Sequence, residues 1–572
     1  MSVLKLMVSD RTCTKYHVVN AYSLKVVPTP KNLNPIKEKL CNQDIIKVDK
    51  NNSVTILHSC VRCMPVIPGV LVLNESKTYG KIKDRHLYRC IPDDRRLPIF
   101  LMPYKPQVSF SKNMTNKYVV FNFKSWEGKH PIAINVQTIG NVSELVNFYE
   151  YQLYCKSLYA SIQDLTKKTM RKLKEKTSNE YIELIKKKHT LQDYRKGRYI
   201  FSIDPDTSKD FDDAFDIETI SDSKVRISVY ISNVSFWMDA MDLWDSFKNR
   251  ISSIYLPDRK RPMLPTVLSD ALCSLTQNDE RFALELALII NIDTGEIETH
   301  YYNNAVIKVA KNLRYDTEEQ EMDLKYIQLF NVVNQMNRKV RHMDSLDTSH
   351  DIVAYLMITM NCISAKTLID HEKGTFRSAT FSGQFKCPEK VPQNIRKFLK
   401  MWNSSGGNYC NFENIQAHEV LDVDAYVHIT SPIRRLADLL NIIILQHCQG
   451  LYTMSDKALE FYNYWTSDES LEYINTTMRS IRKVQNDCSL LQICMENEDV
   501  LNQIHDGYIF DKILRNDALY QYMVYLPELK MVNRFTSRHD KINLSAHKFR
   551  LYVFIDENSL KQKLRIEIQT EE

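Results

Sequence analysis

Apolar residues in the first 150 or so positions come in short β-branched or aromatic runs. PGVLVL, HLYRCI, LPIFLM, KYVVFNF and PIAINVQTI are separated by clusters of Asn, Lys, Gly and Pro, the texture of strands between turns. Strands this short and this closely spaced suit small β-barrels of the OB kind. From ELVNFYEYQLYCKSLYASIQDL onward the apolar spacing becomes helical, and the chain then turns basic. A mixed region follows from about Tyr199. RYIFSID, RISVYISNV and ALELALIINID read as strands, whereas HDIVAYLMITMNCISAKTLIDH and RRLADLLNIIILQHC carry helical spacing. Beyond about Asp506 the pattern returns to strands, in DGYIFDKIL, YQYMVYLPEL, FRLYVFID and LRIEIQ, which predicts another small barrel. There is no internal repeat and no low-complexity segment.

Composition narrows this picture. A chain of 572 residues is too long for one core, and three to five domains are expected. Hydrophobic residues at 44% and charged residues at 26% are ordinary for globular proteins. No apolar run approaches the roughly 18 residues of a membrane span. NIIILQHC is too short, and FALELALIINI is interrupted by Glu285. The start lacks a long apolar leader region. These features predict an intracellular, cytoplasmic monomer with no membrane partner. The richness in Tyr, Asn, Ile and Lys matches an AT-rich genome such as that of a large DNA virus, for which the alternative location is the virion.

Thirteen cysteines, scattered and odd in number, do not read as a disulfide framework. CVRC sets Cys60 and Cys63 at half of a zinc-ribbon spacing, but no second CxxC completes four ligands, and buried free thiols are expected. With twelve glycines there is neither a Walker A loop nor a GxGxxG turn. The net charge of +6 is uneven. Residues 151–200 hold thirteen Lys/Arg against five Asp/Glu, a local +8. That stretch is either a solvated helical face or an attraction for a polyanion such as nucleic acid.

Three stretches carry candidate chemistry. SIDPDTSKDFDDAF gathers Asp204, Asp206, Asp210, Asp212 and Asp213. An EF-hand fails in both registers, because position 6 is Lys209 or Phe211 and position 12 is Phe215 or Ile217. The alternatives are an acidic surface turn and a strand-end metal site. In the second, YIFSI leads into Asp204, Pro205 ends the strand, and a bend returns Asp210, Asp212 and Asp213 beside it. Such oxygen donors suit Mg²⁺ or Mn²⁺, and two ions could promote phosphodiester hydrolysis.

In AYVHITSPIRRLADLLN, Thr430 or Ser431 fits an N-cap and Pro432 fits the first helical position. Arg434 and Arg435 then fall in the first turn, where cations are disfavoured unless an anion shares the site. Surface salt bridges are the plainer alternative. In SIYLPDRKRPMLPTVLSDALCSL, a proline-punctuated loop leads into a helix, and Tyr255 precedes Arg259, Lys260 and Arg261. A tyrosine so placed either packs or stacks on a base.

Together these stretches resemble the ribonuclease II superfamily, the RNB-domain 3′→5′ exoribonucleases that include bacterial ribonucleases II and R and the catalytic subunit of the exosome. That family's acidic motif, Asp, five residues, Asp, one residue, Asp-Asp, reads here as Asp204, Asp210, Asp212 and Asp213. YLP…PMLP…LS…LCSL and SPIRRLADL follow in the family's order. YRCIPDDRRLP and WEGKHPIAINVQTIGNV are similar to the cold-shock barrels of the eukaryotic, exosome-subunit branch.

The resemblance implies a multidomain α+β fold, with a central mixed α/β RNB catalytic domain flanked by small OB-type barrels, cold-shock-like before it and S1-like after it. The corresponding boundaries are 1–65 for an extension or degenerate first cold-shock barrel, 66–150 for a cold-shock-like barrel, 151–198 for a basic helical connector, 199–500 for the RNB domain and 505–572 for an S1-like barrel. It further implies single-stranded RNA as partner, hydrolysis to nucleoside 5′-monophosphates, and Mg²⁺ (or Mn²⁺) held by Asp204, Asp210, Asp212 and Asp213. Asp212 is the carboxylate on which the chemistry most depends, Arg434 acts on the scissile phosphate, and Tyr255, Arg435 and Ser431 contact RNA. Asp206 falls outside the pattern and is expected to be dispensable.

The chain also departs from the family. Tyr230-Ile231-Ser232-Asn233-Val234 stands where the family has HIADV, Leu436 where it has Tyr, Ile442-Ile443 where it has His-Arg, and Val484-Gln485-Asn486-Asp487 where it has AERD. Two other functions compete: a catalytically weak or inactive RNA-binding protein on an RNB scaffold, and an exonuclease acting on DNA.

Overall fold

The computed structural model describes residues 2–49, 53–75, 77–106, 114–380, 390–403 and 407–569. Two compact units emerge. One comprises residues 1–159, 256–258 and 483–572, the other residues 160–255 and 259–482.

The first unit holds three β-systems. Residues 2–58 form a five-stranded antiparallel sheet around Ser2–Val8, with Leu6, Val18, Leu40 and Ile46 fully buried. Strands Ile67–Leu71, Lys117–Ser125, Ile132–Asn141, Phe100–Tyr104 and Arg85–Pro92 then close on themselves, because the last pairs back with the first. Closure leaves no free edge, and Phe100, Met102, Val119 and Phe121 fill the interior. The C-terminal sheet orders Met531–Ser537, Tyr520–Leu526, His505–Leu514, Ala546–Ile555 and Gln562–Ile568. Gly507 in it is a close-approach position, since a Cβ there would fall 2.7 Å from the Phe549 ring.

The predicted connector 151–198 is not one piece. Helix Leu145–Cys155 belongs to the barrel unit, where Tyr151 is fully buried and stacks on Tyr118 at 4.2 Å. Helices Gln163–Glu175 and Ser178–Lys188 belong to the other unit, the second opened by a capping box between Thr177 and Glu180. Part of their positive charge is neutralised locally, by Lys186–Glu280 at 2.7 Å and Lys188–Asp239 at 2.5 Å.

The second unit is built on one sheet in the order Gln192–Tyr194, Ile297–Arg314, Ile200–Asp204, Asp213–Ser221, Lys224–Ser232 and Glu280–Asn291. Glu280–Asn291 also pairs with Ile297–Arg314, so five of these strands form a ring. Helices cover it. Ser349–Asp370 is capped by Thr348 and Asp351, and Leu436–Cys448 is buried along almost its entire length. Ser349–Asp370 corrects the sequence reading: this 22-residue helix contains an 18-residue window with a mean hydropathy of 1.6, long and apolar enough to cross a membrane. Here Ile352, Leu356, Met360, Ala365 and Leu368 are buried in the unit's core. The Cys60–Cys63 segment is a single helical turn with Cys63 exposed, not a buried thiol pair.

Candidate active site

The acidic stretch is a strand–loop–strand. Ile200–Asp204 ends at Asp204, and Asp213–Ser221 begins at Asp213 and runs back antiparallel. The intervening loop is pinned from the LCSL segment. Ser274 Oγ accepts from the Phe211 N–H at 3.0 Å and donates to the Lys209 carbonyl at 2.9 Å, and the Leu275 N–H donates to the Phe211 carbonyl. Asn312 ties Ser202 Oγ to the Leu275 carbonyl, which joins the same loop to the neighbouring strand.

Opposite this loop stands the arginine segment, and here the structure corrects the expected cap. The helix begins at Leu436, not at Pro432, and its N-cap is Arg435 in an extended conformation. The cause is a second strand of chain. Ser252 bridges to Arg435, the Ser253 N–H donates to the Arg434 carbonyl at 2.9 Å, and the Leu436 N–H donates to the Ile251 carbonyl at 2.9 Å. Pro432–Arg434 therefore form a separate turn. One of its N–H groups, that of Ile433, donates to Asp212 Oδ1 at 3.0 Å, and Arg434 Nε lies 3.0 Å from Asp212 Oδ2. The anion that the sequence pattern called for is supplied by the chain itself.

Asp204, Asp210, Asp212, Asp213, Tyr255, Ser431 and Arg434 line one cavity of about 810 Å³. Ser431 Oγ accepts from Arg434 Nη2 at 3.2 Å, and the Tyr255 hydroxyl donates to Asp210 Oδ2 at 3.4 Å. Arg435 is not brought in. It pairs with the fully buried Asp438 at 2.8 Å, and Asp438 also accepts from the Ser431 N–H. Asp206 is exposed outside the cavity and pairs with Arg314.

Sequence reasoning missed Tyr315, His350 and Met357, which line the same cavity from the end of strand Ile297–Arg314 and from helix Ser349–Asp370. Only contact across the fold places them there. Of the departures from the family pattern, Leu436, Ile442 and Ile443 are fully buried in their helix, and Tyr230 is buried in the sheet.

Burial dominates the electrostatics. It pushes the Asp212 carboxyl up to about 7 against the pull of Arg434 and the Ile433 N–H. Burial holds Asp204 and Asp213 well above the ordinary carboxylate range, reinforced by the charge of Asp212 and Asp210 on Asp204 and of Asp204 on Asp213, and opposed by Arg434. Burial also works against the Arg434 charge, yet Asp212, Tyr255, Asp213 and Asp210 raise its pKa above the usual guanidinium value. Asp204 Oδ2 is buried without a hydrogen-bond partner, and among the described residues no cationic side chain pairs with Asp204 or Asp213. Among those residues no three His, Cys, Asp or Glu side chains converge as a ready-made metal cage. The arrangement is an acidic wall facing a basic turn.

Comparison with known proteins agrees with this geometry. Residues 191–325 match the RNB domain. Ribonuclease R 2 of Lactococcus lactis is 34% identical over 126 residues, which is 22% of this chain and 19% of that protein. DIS3-like exonuclease 2 of Schizosaccharomyces pombe is 31% identical over 134 residues, 23% of this chain and 14% of that protein. The matched stretch thus spans a fifth or less of the length of these relatives. In fold, the chain is similar to Mycoplasma genitalium RNase R in complex with ribose-methylated single-stranded RNA, with a TM-score of 0.69 at 15% identity over 99% of this chain and 100% of that one. It is also similar to yeast Ssd1, a pseudonuclease, with a TM-score of 0.59 at 13% identity over 96% and 81%. Residues 191–325 thus match the RNB domain within a fold like that of RNase R, and the acidic loop Asp204–Asp213 lies inside the matched segment.

Proposed function

We propose that this chain is a metal-dependent 3′→5′ exoribonuclease that hydrolyses single-stranded RNA to nucleoside 5′-monophosphates. One observation carries the reading. Half-buried Asp204 and buried Asp213 stand at a cavity wall, neither in an ion pair among the described residues, while Arg434 projects into the same cavity with 45% of its side chain exposed. Buried carboxylates without a counter-charge are costly, and a divalent cation with phosphate is the partner that suits both walls.

The donor set fits Mg²⁺ or Mn²⁺. It consists of oxygen atoms only, with the orphaned Asp204 Oδ2 among them, and such ions keep several waters and take one or two carboxylates plus substrate phosphate. Asp204, Asp212 and Asp213 would hold the ion. When bound, it supplies Lewis-acid activation of a water and stabilisation of the leaving oxygen.

The chain's own residues do the rest. Asp212 is fixed by Ile433 and Arg434, so its carboxylate enters the reaction already oriented. Arg434 presents its guanidinium to the phosphate and stabilises charge that grows in the transition state. The exposed ring of Tyr255 offers a stacking face at the cavity mouth. The presence of a pseudonuclease among similar folds favours the alternative of an RNA-binding protein without turnover, but the four acidic positions and Arg434 are all present and gathered.

The test compares wild type with Asp212→Asn on 3′-tailed single-stranded RNA, with Mg²⁺ and with EDTA. Monophosphate release by the wild type with Mg²⁺, lost in the variant and in EDTA while RNA binding persists, is expected. Binding without release by the wild type under either metal would establish the alternative.

A further inference from the structure

Among the described residues, Lys260 is the one lysine drawn into the acidic wall of the cavity by ion pairs. It lies on a short strand, Lys260–Arg261, paired antiparallel with Ile254–Tyr255 so that Lys260 stands directly opposite Tyr255. Cross-strand partners project to one side, and both reach the same carboxylate. Lys260 Nζ is 3.0 Å from Asp210 Oδ1, and the Tyr255 hydroxyl donates to Asp210 Oδ2 at 3.4 Å. Each oxygen of Asp210 is therefore engaged. A second acid fixes the ammonium from the other side, since Lys260 Nζ also lies 3.0 Å from Asp270 Oδ1, which accepts from Ser269 Oγ. The lysine is only 19% exposed, so this is a partly desolvated bridge rather than a mobile surface pair.

We propose that Lys260 takes the place of the second cation in this site, so that the cavity binds a single divalent ion on the side of Asp204, Asp212 and Asp213. The inference rests on the metal-dependent reading above. A cluster of four carboxylates would ordinarily be neutral enough to work only with two divalent ions. Here Arg434 pairs with Asp212 and Lys260 bridges Asp210 and Asp270, which leaves Asp204 and Asp213 as the two acids of the four without an ion pair among the described residues, a pair that one dication would match. An ion seated on Asp210 would have to displace Nζ and then face it at short range, with like-charge repulsion unscreened inside the cavity. Asp270 opposes that displacement by holding the ammonium where it is. Lys260 is in this sense a positioning residue: it fixes Asp210 and sets the number of ions, without touching the reacting atoms.

The experiment counts ions directly. Full-length protein is titrated with Mn²⁺, and the free-ion signal is followed by electron paramagnetic resonance, for wild type, Lys260→Met and Lys260→Arg. One bound ion per chain is expected for wild type and for Lys260→Arg, which keeps the charge, and two for Lys260→Met, which frees Asp210. Lys260→Gln serves as the second neutral variant should Lys260→Met not fold. Two ions on the wild type, or one on both wild type and a folded neutral variant, overturns the assignment of Lys260. No bound ion on the wild type overturns instead the metal-dependent function on which the assignment depends.

Discussion

Two clusters of buried charge lie in the same ring of strands, and they are built to opposite ends. In the first, Arg198 pairs with Glu285 at 2.6 Å and with Asp216 at 3.4 Å. Tyr230 donates to Asp216 Oδ2, and Ser228, Tyr194 and Asn303 donate to Glu285, while Arg226 lies 3.8 Å from the other Asp216 oxygen and the Arg198 guanidinium lies 3.3 Å from the centre of the Tyr194 ring. Glu285 is completely buried. In this cluster each acid has an arginine within ion-pair distance, away from the cavity. In the second, Arg434 pairs with Asp212, which also accepts from the Ile433 N–H, and among the described residues Asp204 and Asp213, which face a cavity of about 810 Å³, form no ion pair. A chain neutralises the charge it uses for structure and leaves unneutralised the charge it keeps for a ligand.

Replacing the arginine of each cluster breaks this comparison most severely. Arg198→Ala strands Glu285 and should cost about 3–5 kcal/mol of stability, measured by denaturant unfolding. Arg434→Ala removes the partner of buried Asp212, but at a solvent-facing cavity wall where Asp212 can take up a proton, so it should cost less stability than Arg198→Ala, while turnover falls by about 10²–10³ and RNA affinity falls far less. Equal losses of binding and turnover would reduce Arg434 to a binding contact.

The next effect is in pH. Asp212 titrates at about 7 when folded against an ordinary 3.8, and Asp204 and Asp213 shift in the same direction. The folded state thus holds protons that the unfolded state has released between these values, so metal-free stability falls as pH rises from about 4 through 7. His189 and His418, held down from 6.5 to about 4, act with the opposite sign over about pH 4–6.5, inside the same window, but they are common to wild type and variant and cancel in the comparison. Without metal, Asp213→Asn should therefore melt above wild type at pH 8, and the gap should close by pH 5. Mg²⁺ should raise the wild type more than the variant. A gap independent of pH would mean that Asp213 is not buried in its charged form.

Smaller effects sharpen the boundary of the open cluster. Tyr255→Ala should lose a stacking contact worth about 1–3 kcal/mol and leave a longer final oligonucleotide on a sequencing gel; an unchanged ladder end would remove the ring from the RNA path. Asp206→Asn breaks only an exposed pair with Arg314 and should change stability by less than about 0.5 kcal/mol with turnover intact. Loss of activity there would redraw the acidic set.

The acidic cluster was legible from spacing, because its strand, proline and return bend are local. The arginine turn was only half legible. Ser431 and Pro432 read as a helix start, but the register of that segment is set by Ile251–Ser253, some 180 positions away in the chain. The same distance effect misdirected Arg435, whose partner Asp438 was visible three residues on but whose burial was not. Strand Ile297–Arg314 escaped notice because its first half is mostly exposed and its polar residues break any alternation. The bond from Lys260 to Asp210 needed the cross-strand register with Tyr255.

The hydrogen bond between the Ile433 N–H and Asp212 spans 221 positions. On a ribosome adding about 5–20 residues per second, the acidic loop emerges roughly 10–45 s before its arginine turn exists. During that interval the chain carries its carboxylates but not the group that orients the most critical of them. A nascent or truncated chain that ends before Ile433 therefore holds the acidic loop with Asp212 unoriented.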